Sequence, residues 1–191
     1  MGAVILTAAT LVGLVGACAP AVANSTMLAV VQVESRGDPL AIYVNKSTVQ
    51  PRPAATVESA AATVRRYVAT GHTVDMGLAG INTRTAARLG LSIEQSFDPC
   101  ANVAAGAAVL AEGYDRGVAE HGEGQRALRA ALSAYNTGSL THGMENGYVD
   151  RYGPWKEEGE TKPPAQPAPA ADLTTAADLY AADVRAALAE R

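Results

Sequence analysis

The apolar positions in residues 27–34 follow a helical repeat that ends in a carboxylate. Met27, Val30 and Val31 lie seven, four and three positions before Glu34, so a helix places all four side chains on one face. An Asn-Ser-Thr triplet just before this segment offers N-caps, and a glycine and a proline close behind it favour an end there. The pattern therefore predicts a short apolar helix with Glu34 at its C-terminal end.

Glu34 is the first charged side chain of the chain, since residues 1–33 contain no Asp, Glu, Lys or Arg. A carboxyl on an apolar face is poorly hydrated, and the negative end of the helix dipole lies beside it, so both effects favour its protonated form. A protonated carboxyl near neutral pH is what a general acid requires. The alternative is a glutamate that ends the helix and points to solvent.

The remaining hydrophobic pattern predicts helices and little sheet. Val57, Ala61, Val64 and Val68 repeat at helical spacing within residues 56–70, which indicates a packed scaffold helix. Other helices are predicted over residues 83–89, 98–113 and 125–134. Alanine is abundant, only 5% of the residues are aromatic, and alternating β-branched positions are scarce, so the fold class is mainly α.

Composition divides the chain into three parts. Residues 1–17 form a signal-like or anchor segment, residues 18–158 form one domain, and residues 159–191 form a Pro/Ala-rich linker and a short C-terminal helix. A core of about 140 residues buries roughly two thirds of the surface of its unfolded chain, which is enough for one stable domain. The tail helix, over residues 176–190, is too isolated to be stable without a partner.

The amino-terminal segment leaves three interpretations open. Residues 3–17 are an uncharged apolar run of signal-peptide length, but no Lys or Arg follows Met1, so the basic region of a secretory signal is missing. The segment is either a cleaved or truncated signal that ends near Ala17, a retained membrane anchor, or a buried first helix. A start codon assigned too far downstream would explain the missing basic residues. We expect a periplasmic or exported protein.

Charge and histidine content exclude some classes of function. The net charge of −4 and the pI near 5.4 give no basic field that attracts phosphate, so nucleic acid is not an expected partner. His72, His121 and His142 lie far apart and lack the spacing of metal ligands. We expect neither a metal nor another cofactor.

Four segments of the chain carry motifs. Residues 33–42 read Val-Glu-Ser-Arg-Gly-Asp-Pro-Leu-Ala-Ile, residues 75–82 read Asp-Met-Gly-Leu-Ala-Gly-Ile-Asn, residues 97–102 read Phe-Asp-Pro-Cys-Ala-Asn, and residues 131–138 read Ala-Leu-Ser-Ala-Tyr-Asn-Thr-Gly. In this order they resemble the catalytic motif, the Gly-Leu-Met-Gln-Ile-Asn segment, the start of the following helix and the Ala-Tyr-Asn motif of the lytic transglycosylase superfamily, whose domain is similar to goose-type lysozyme. The continuation over residues 141–149 is similar to the branch that accompanies type IV secretion and conjugation systems.

The resemblance, over residues 18–152, implies cleavage of the β-1,4 bond between N-acetylmuramic acid and N-acetylglucosamine in peptidoglycan. Glu34 matches the catalytic glutamate, which protonates the leaving oxygen and then takes the proton of the muramic acid 6-hydroxyl, so a 1,6-anhydro ring forms without water. Most glycosidases use two carboxylates. Asp38 and Asp75 are candidates for a second one, with turn and capping roles as the alternatives. Secretion-channel proteins are the partners implied for the tail, and local opening of the cell wall is the implied role.

The resemblance also implies substrate-binding roles for a further set of residues, Ser35, Gly80, Ile81, Tyr135 and Asn136. Tyr135 offers a rigid ring and hydroxyl to the sugar, and a buried tyrosine with a structural hydrogen bond is the alternative. Ser35 either contacts the substrate or bonds its own backbone at the helix end. Asn136 either contacts the substrate or fixes the turn beneath the site.

The chain departs from the family at Ala79-Gly80, which stand where the pattern has Met-Gln. The change removes an apolar contact and an amide that faces the sugar, so we expect weakened binding and a gain of about 1 kcal/mol from Gly80→Gln. A positive φ at Gly80 would instead make the larger side chain clash. Two other functions remain open, a non-catalytic peptidoglycan-binding or assembly module and a lysozyme-type hydrolase.

Cys18 and Cys100 are the only two cysteines, and each lies in a segment that resembles the family. We therefore expect a disulfide between them, which would stabilise the fold by roughly 4 kcal/mol and imply an oxidising compartment. The alternative is a pair of reduced buried thiols in a cytosolic protein.

Overall fold

The computed structural model describes residues 5–153 and residue 155. Among these, residues 5–106 belong to one compact unit, and residues 107–153 with residue 155 belong to a second. Both units are mainly helical, so the predicted fold class is confirmed for the described part of the chain. The Pro/Ala-rich linker and the predicted helix over residues 176–190 lie outside the described residues.

The first unit contains four complete helices, a small sheet and the start of a fifth helix. The helices are α1 (Ala8–Cys18), α2 (Asn24–Glu34), α3 (Val57–Ala69), α4 (Thr83–Arg88) and, continuing into the second unit, α5 (Pro99–His121). The strands are β1 (Ile42–Val44), β2 (Val74–Met76) and β3 (Ile81–Asn82), and a 3₁₀ turn occupies Gln95–Phe97.

The amino-terminal segment forms a helix that contributes to the core of the first unit. The hydroxyl of Thr7 caps α1 by accepting the Thr10 N–H at 3.2 Å. Leu14 and Val15 are fully buried, and α1 packs against α2. None of the described helices is long and apolar enough to cross a membrane. In the structure this segment thus has the form of the buried first helix.

α2 occurs where the sequence predicts it and buries the predicted apolar face of Met27, Val30 and Val31. Its start differs from the prediction. The helix begins at Asn24 and its N-cap is Ala23, whose methyl side chain has no atom that can accept a backbone N–H, so no side chain caps it. The expected Asn, Ser or Thr N-cap is therefore wrong.

α3 is fixed at its start by a capping box between Thr56 and Ser59. Its central residues pack against β1 and β2, and Ala61 and Val64 are fully buried. Val68 is 42% exposed, so the predicted buried face ends one turn early. The helix is a scaffold element for the sheet, as the pattern predicts.

The sheet is antiparallel with the order β1-β2-β3. Tyr43, Asp75 and Asn82 are direct neighbours across its three strands and so share one face. Met76 and Ile81, which neighbour each other on the opposite face, are buried. The strands have only two or three residues each, too few to produce an alternating pattern in the sequence.

The disulfide between Cys18 and Cys100 is present, with 5.4 Å between the two Cα atoms. It joins the end of α1 to the first turn of α5, and the side chain of Asp98 caps that turn by accepting the Ala101 N–H. The predicted pairing is confirmed, and so is the predicted start of the long helix at Asp98-Pro99.

In the second unit, α5 continues to His121 and packs closely on α6 (Gln125–Thr137). The sequence prediction ended α5 near Gly113, which is wrong. A Cβ at Gly113 would lie 3.1 Å from the Ala131 carbonyl, and one at Gly117 would lie 2.7 Å from the Ala127 carbonyl. These glycines therefore let two helices approach each other rather than end one of them.

A short helix, α7 (His142–Glu145), and a 3₁₀ turn at Val149–Tyr152 follow α6. Ser133 on α6 is fully buried, and its hydroxyl donates to the Ser139 carbonyl and accepts the Gly143 N–H, both at 2.7 Å. This buried hydroxyl connects the end of α6 to α7.

Candidate active site

Glu34 is the last residue of α2 and is half-buried. Its carboxylate lies against Gly80, on the turn between β2 and β3. A Cβ built on Gly80 would be 2.6 Å from Oε2 of Glu34 and 3.2 Å from its Cδ. The structure therefore brings together two of the predicted site residues that stand far apart in the sequence.

The chain reverses direction directly after Glu34. The hydroxyl of Ser35 donates to the Val31 carbonyl and accepts the Gly37 N–H, both at 3.1 Å. Arg36 and Gly37 adopt positive φ angles of 56° and 85°. The Ser35 side chain thus fixes the turn that ends α2. Its one donor is used by the backbone, so a substrate contact by Ser35 has to use its remaining acceptor position.

Asp38 lies in the same turn and has a local structural role. Its Oδ1 accepts the Leu40 N–H at 2.8 Å, which is the geometry of an Asx turn. Burial raises the pKa of the Asp38 carboxyl, and the hydrogen bond from Leu40 opposes that shift. Asp38 could be a second catalytic carboxylate or a turn residue, and the structure shows it in the turn.

Asp75 lies in the middle strand of the sheet, and amides hold both of its oxygens. Asn82 Nδ2 donates to Oδ1 at 2.6 Å, and Asn45 Nδ2 donates to Oδ2 at 3.0 Å. Burial raises the pKa of Asp75, and the two amide hydrogen bonds oppose that shift. The predicted capping role of Asp75 is wrong, because the carboxylate links Asn82 in β3 to Asn45, the residue after β1.

The turn between β2 and β3 is tight and depends on two glycines. Gly77 and Gly80 have φ angles of 72° and 60°, in the region that favours glycine, and the Gly80 N–H donates to the Gly77 carbonyl at 3.2 Å. Ile81, which follows, is only 2% exposed. Because its side chain is buried, any contact between Ile81 and a substrate uses its backbone.

The geometry at Gly80 decides between the two outcomes expected for its substitution. The positive φ strains any side chain at residue 80, and a Cβ there would displace the adjacent Glu34 carboxylate. The geometry therefore favours the clash expected for a positive φ over a gain in binding from Gly80→Gln. Ala79, which stands where the family pattern has Met, is fully buried.

Sequence reasoning missed the contribution of Asn102. This residue is fully buried in the first turn of α5 and makes hydrogen bonds to residues on both sides of the turn that contains Gly77. The sequence offered only a weak signal, a polar residue at the end of the motif over residues 97–102. Its contacts connect segments that lie more than twenty positions apart.

Tyr135 and Asn136 belong to the second unit, near the end of α6. Tyr135 is half-buried. Asn136 is exposed, and its Oδ1 accepts a hydrogen bond from Asn146 Nδ2 at 3.1 Å. Asn136 thus links α6 to the residue after α7, in agreement with the turn-fixing alternative. Within the described residues, no group of three or more His, Cys, Asp or Glu side chains is placed to hold a metal ion.

Comparison with known proteins places these features in a family. Residues 15–157 match the family described as Transglycosylase SLT domain. The chain is 42% identical over 132 residues to "Protein virB1" of Agrobacterium fabrum, an alignment that covers 69% of this chain and 53% of that protein. It is 37% identical over 129 residues to "Type IV secretion system protein virB1" of Brucella abortus, covering 67% of this chain and 54% of that protein.

The chain spans about half the length of the curated relatives it matches. No solved structure matches it. The family match includes Glu34, the turn at Gly80 and the helix that carries Asn102. The resemblance seen in the four motif segments is confirmed, and the chain belongs to the Transglycosylase SLT domain family.

Proposed function

We propose that this chain is a lytic transglycosylase that cleaves peptidoglycan glycan strands, with Glu34 as its catalytic acid and base. One observation carries the proposal. The glutamate of the family-like catalytic motif is half-buried at a helix end, and its carboxylate packs against the glycine turn in the second motif. A carboxyl held in this way can serve as the general acid of a glycosidic cleavage.

The reaction proposed for this site uses the same carboxyl twice. Glu34 donates its proton to the glycosidic oxygen as the bond between N-acetylmuramic acid and N-acetylglucosamine breaks, and the substrate's N-acetyl group stabilises the developing cation. The Glu34 carboxylate then accepts the proton of the muramic acid 6-hydroxyl, whose oxygen bonds to C1. The products are a 1,6-anhydromuramic acid end and a free N-acetylglucosamine 4-hydroxyl, and Glu34 is again protonated.

The roles of the other two candidate carboxylates support this scheme over one with two carboxylates. Asp38 holds a turn through its hydrogen bond with Leu40, and both Asp75 oxygens accept amide hydrogen bonds. A glycosidase with two carboxylates needs the second one to face the sugar or a water molecule. Because Asp38 holds a turn and two amides hold Asp75 in place, we favour the single-carboxylate lyase over a lysozyme-type hydrolase.

The departure at Ala79-Gly80 does not require a loss of catalysis. Without a side chain at Gly80, the Glu34 carboxylate has space to lie over the turn. This arrangement supports an enzyme over a non-catalytic wall-binding module. Tyr135, Ser35 and the backbone of Gly80 and Ile81 remain the proposed substrate contacts.

The similarity to VirB1 proteins supports a cellular role. We place the chain in the periplasm, where it would open the cell wall locally for a type IV secretion or conjugation apparatus. A disulfide such as Cys18–Cys100 persists in an oxidising compartment and is consistent with this location. Channel proteins that bind the tail are part of the same proposal.

Mass spectrometry of the products tests the reaction. Purified chain is incubated with peptidoglycan sacculi, and the released muropeptides are analysed with and without borohydride reduction. Anhydromuramic ends that resist reduction support the lyase. Reducible ends would show a hydrolase, and binding to sacculi without release would show a non-catalytic module.

A further inference from the structure

Asn102 is an amide in the interior of the first unit, with a relative exposure of 0%. Within the described residues, Ser96 and Ser133 are the other fully buried polar side chains. Burying an amide is unfavourable unless hydrogen bonds replace those it made with water. The partners of Asn102 therefore indicate what the residue does.

Three hydrogen bonds engage both amide hydrogens and the amide oxygen of Asn102. Its Nδ2 donates to the Met76 carbonyl at 2.8 Å and to the Ser96 carbonyl at 2.6 Å, and its Oδ1 accepts the Ala79 N–H at 2.7 Å. Both donors and the acceptor oxygen are engaged, and this pattern fixes the orientation of the amide. A flipped amide would place two donors against each other at Ala79.

Two of these bonds hold both ends of the Gly77-Leu78 segment in the turn between β2 and β3. Met76 directly precedes Gly77, and Ala79 directly precedes Gly80, so one side chain sets the path of the turn between them. The contact is tight, since a Cβ on Gly77 would lie 2.5 Å from Nδ2 of Asn102. The glycine at this position lets the amide reach the backbone.

The turn held in this way is the surface on which the Glu34 carboxylate lies. Gly80 is the next residue after the Ala79 N–H that Asn102 accepts, and the Glu34 carboxylate packs against it. We infer that Asn102 is a positioning residue for Glu34, because it fixes the backbone that sets where the carboxylate can be. This inference rests on the proposed function of Glu34.

The disulfide separates this role from general support of the fold. Cys100, two residues before Asn102, is bonded to Cys18, so the start of α5 is anchored covalently without the amide. Loss of the Asn102 hydrogen bonds therefore releases the turn at Gly77 and leaves α5 attached. A displacement of catalytic groups by about 1 Å costs on the order of 10²-fold in rate.

Asn102→Asp tests the inference, with Gln50→Glu as the control for an amide-to-carboxyl change at an exposed residue. A carboxylate at residue 102 repels the Met76 and Ser96 carbonyls, whereas a protonated acid can donate to one of them. Gln50 also makes three amide hydrogen bonds to backbone, with Val44 and Ser47, but on the loop after β1. The measurements are kcat and KM on sacculi across pH, the thermal midpoint, and amide hydrogen exchange at Ala79.

For Asn102→Asp we expect kcat to fall on the order of 10²-fold near neutral pH with KM little changed. Its activity relative to the parent should recover as the pH falls, and exchange at Ala79 should accelerate. Gln50→Glu should keep kcat within about twofold and show none of these changes. If Asn102→Asp does not fold, Asn102→Ser takes its place, with the same expected loss of kcat and faster exchange.

Parent-like kcat in a folded Asn102 variant would overturn the inference. So would unchanged exchange at Ala79, or equal losses in the Gln50 control. A parent chain without turnover would refute the proposed function instead, and the exchange at Ala79 would then decide separately whether Asn102 holds the turn.

Discussion

The carboxylate of Glu34 lies against the side of Gly80 where any other residue would carry its Cβ, only 2.6 Å from that position. The two residues come from different segments, the end of α2 and the turn between β2 and β3. Each depends on local geometry, Glu34 on the chain reversal at Ser35 and Gly80 on a positive φ. Their contact makes the properties of the acid depend on a residue without a side chain.

Gly80→Ala is expected to lower turnover strongly, because the new Cβ must displace the Glu34 carboxylate. Gly80→Gln should lower both turnover and affinity for sacculi. Gly90→Ala is the matched control, since Gly90 has a similar φ of 73° with nothing within 4 Å of its Cβ position. Both alanine variants should lose about 1 kcal/mol or more of unfolding free energy, because alanine is strained at a positive φ. Kinetics on sacculi that fall equally in both variants would contradict the contact.

Glu34→Gln should abolish turnover, since the amide keeps the shape of the side chain but donates no acidic proton. Loss of a general acid typically costs about 10²–10⁴ in rate. Asp38→Asn is the control, because an asparagine Oδ1 can still accept the Leu40 N–H. Muropeptide release should disappear in Glu34→Gln and persist in Asp38→Asn, with both variants folded by circular dichroism. Release by Glu34→Gln would exclude Glu34 as the acid.

The contribution of Asp75 to the free energy of unfolding should decrease as the pH rises. Burial raises its folded pKa above the usual 3.8, so ionising it costs more in the folded chain than in the unfolded one. Its contribution to the free energy of unfolding is full below the unfolded pKa and declines as the pH rises through the folded pKa. Urea unfolding of the parent and Asp75→Asn from about pH 3 to about pH 7 measures this. The free energy of unfolding of Asp75→Asn relative to that of the parent should increase as the pH rises. A flat or opposite trend would contradict the raised pKa of Asp75.

The disulfide predicts both a chemical and a thermodynamic result. Thiol labelling of unreduced, periplasm-derived protein should find no free cysteine, whereas the reduced parent should show both. The Cys18→Ser/Cys100→Ser double variant should lose roughly 4 kcal/mol of unfolding free energy in the chain-entropy model. Two labelled thiols in the unreduced protein would refute the bond.

The buried first helix predicts that Leu14 contributes to stability. Leu14→Ala should lower the free energy of unfolding by about 2–5 kcal/mol, as is usual for a leucine removed from a packed core. Val12→Ala in the same helix is the control, because Val12 is 49% exposed, and its effect should stay near 0.5 kcal/mol. Equal and small effects would mean that α1 does not pack in the folded protein studied.

Much of the fold could be predicted, because helical repeats and turn residues are local signals. The apolar face before Glu34, the α3 register as far as Val64 and the Asp98-Pro99 helix start are predicted correctly from neighbouring positions. The end of α5 was not, since Gly113 has the local signature of a helix end but serves a contact with Ala131. Local patterns cannot distinguish these two uses of glycine.

The site was predictable only in part. Glu34 stands out by its surroundings in the sequence, and its motif leads to the family. Its contact with Gly80 and the hydrogen bonds of Asn102 depend on how distant segments pack. The periodicity of the sequence carries no information about that packing. The strands β1 to β3 were not predicted because two or three residues are too few to show an alternating pattern.

The packing of Glu34 on Gly80 also bears on how such a site can change during evolution. A carboxylate that occupies the space beside residue 80 makes the identity of that residue contingent on where the acid lies. A larger residue at this position has to coincide with a shift of Glu34, and either change alone is expected to give a poorly active protein. The pair is thus expected to change jointly or not at all.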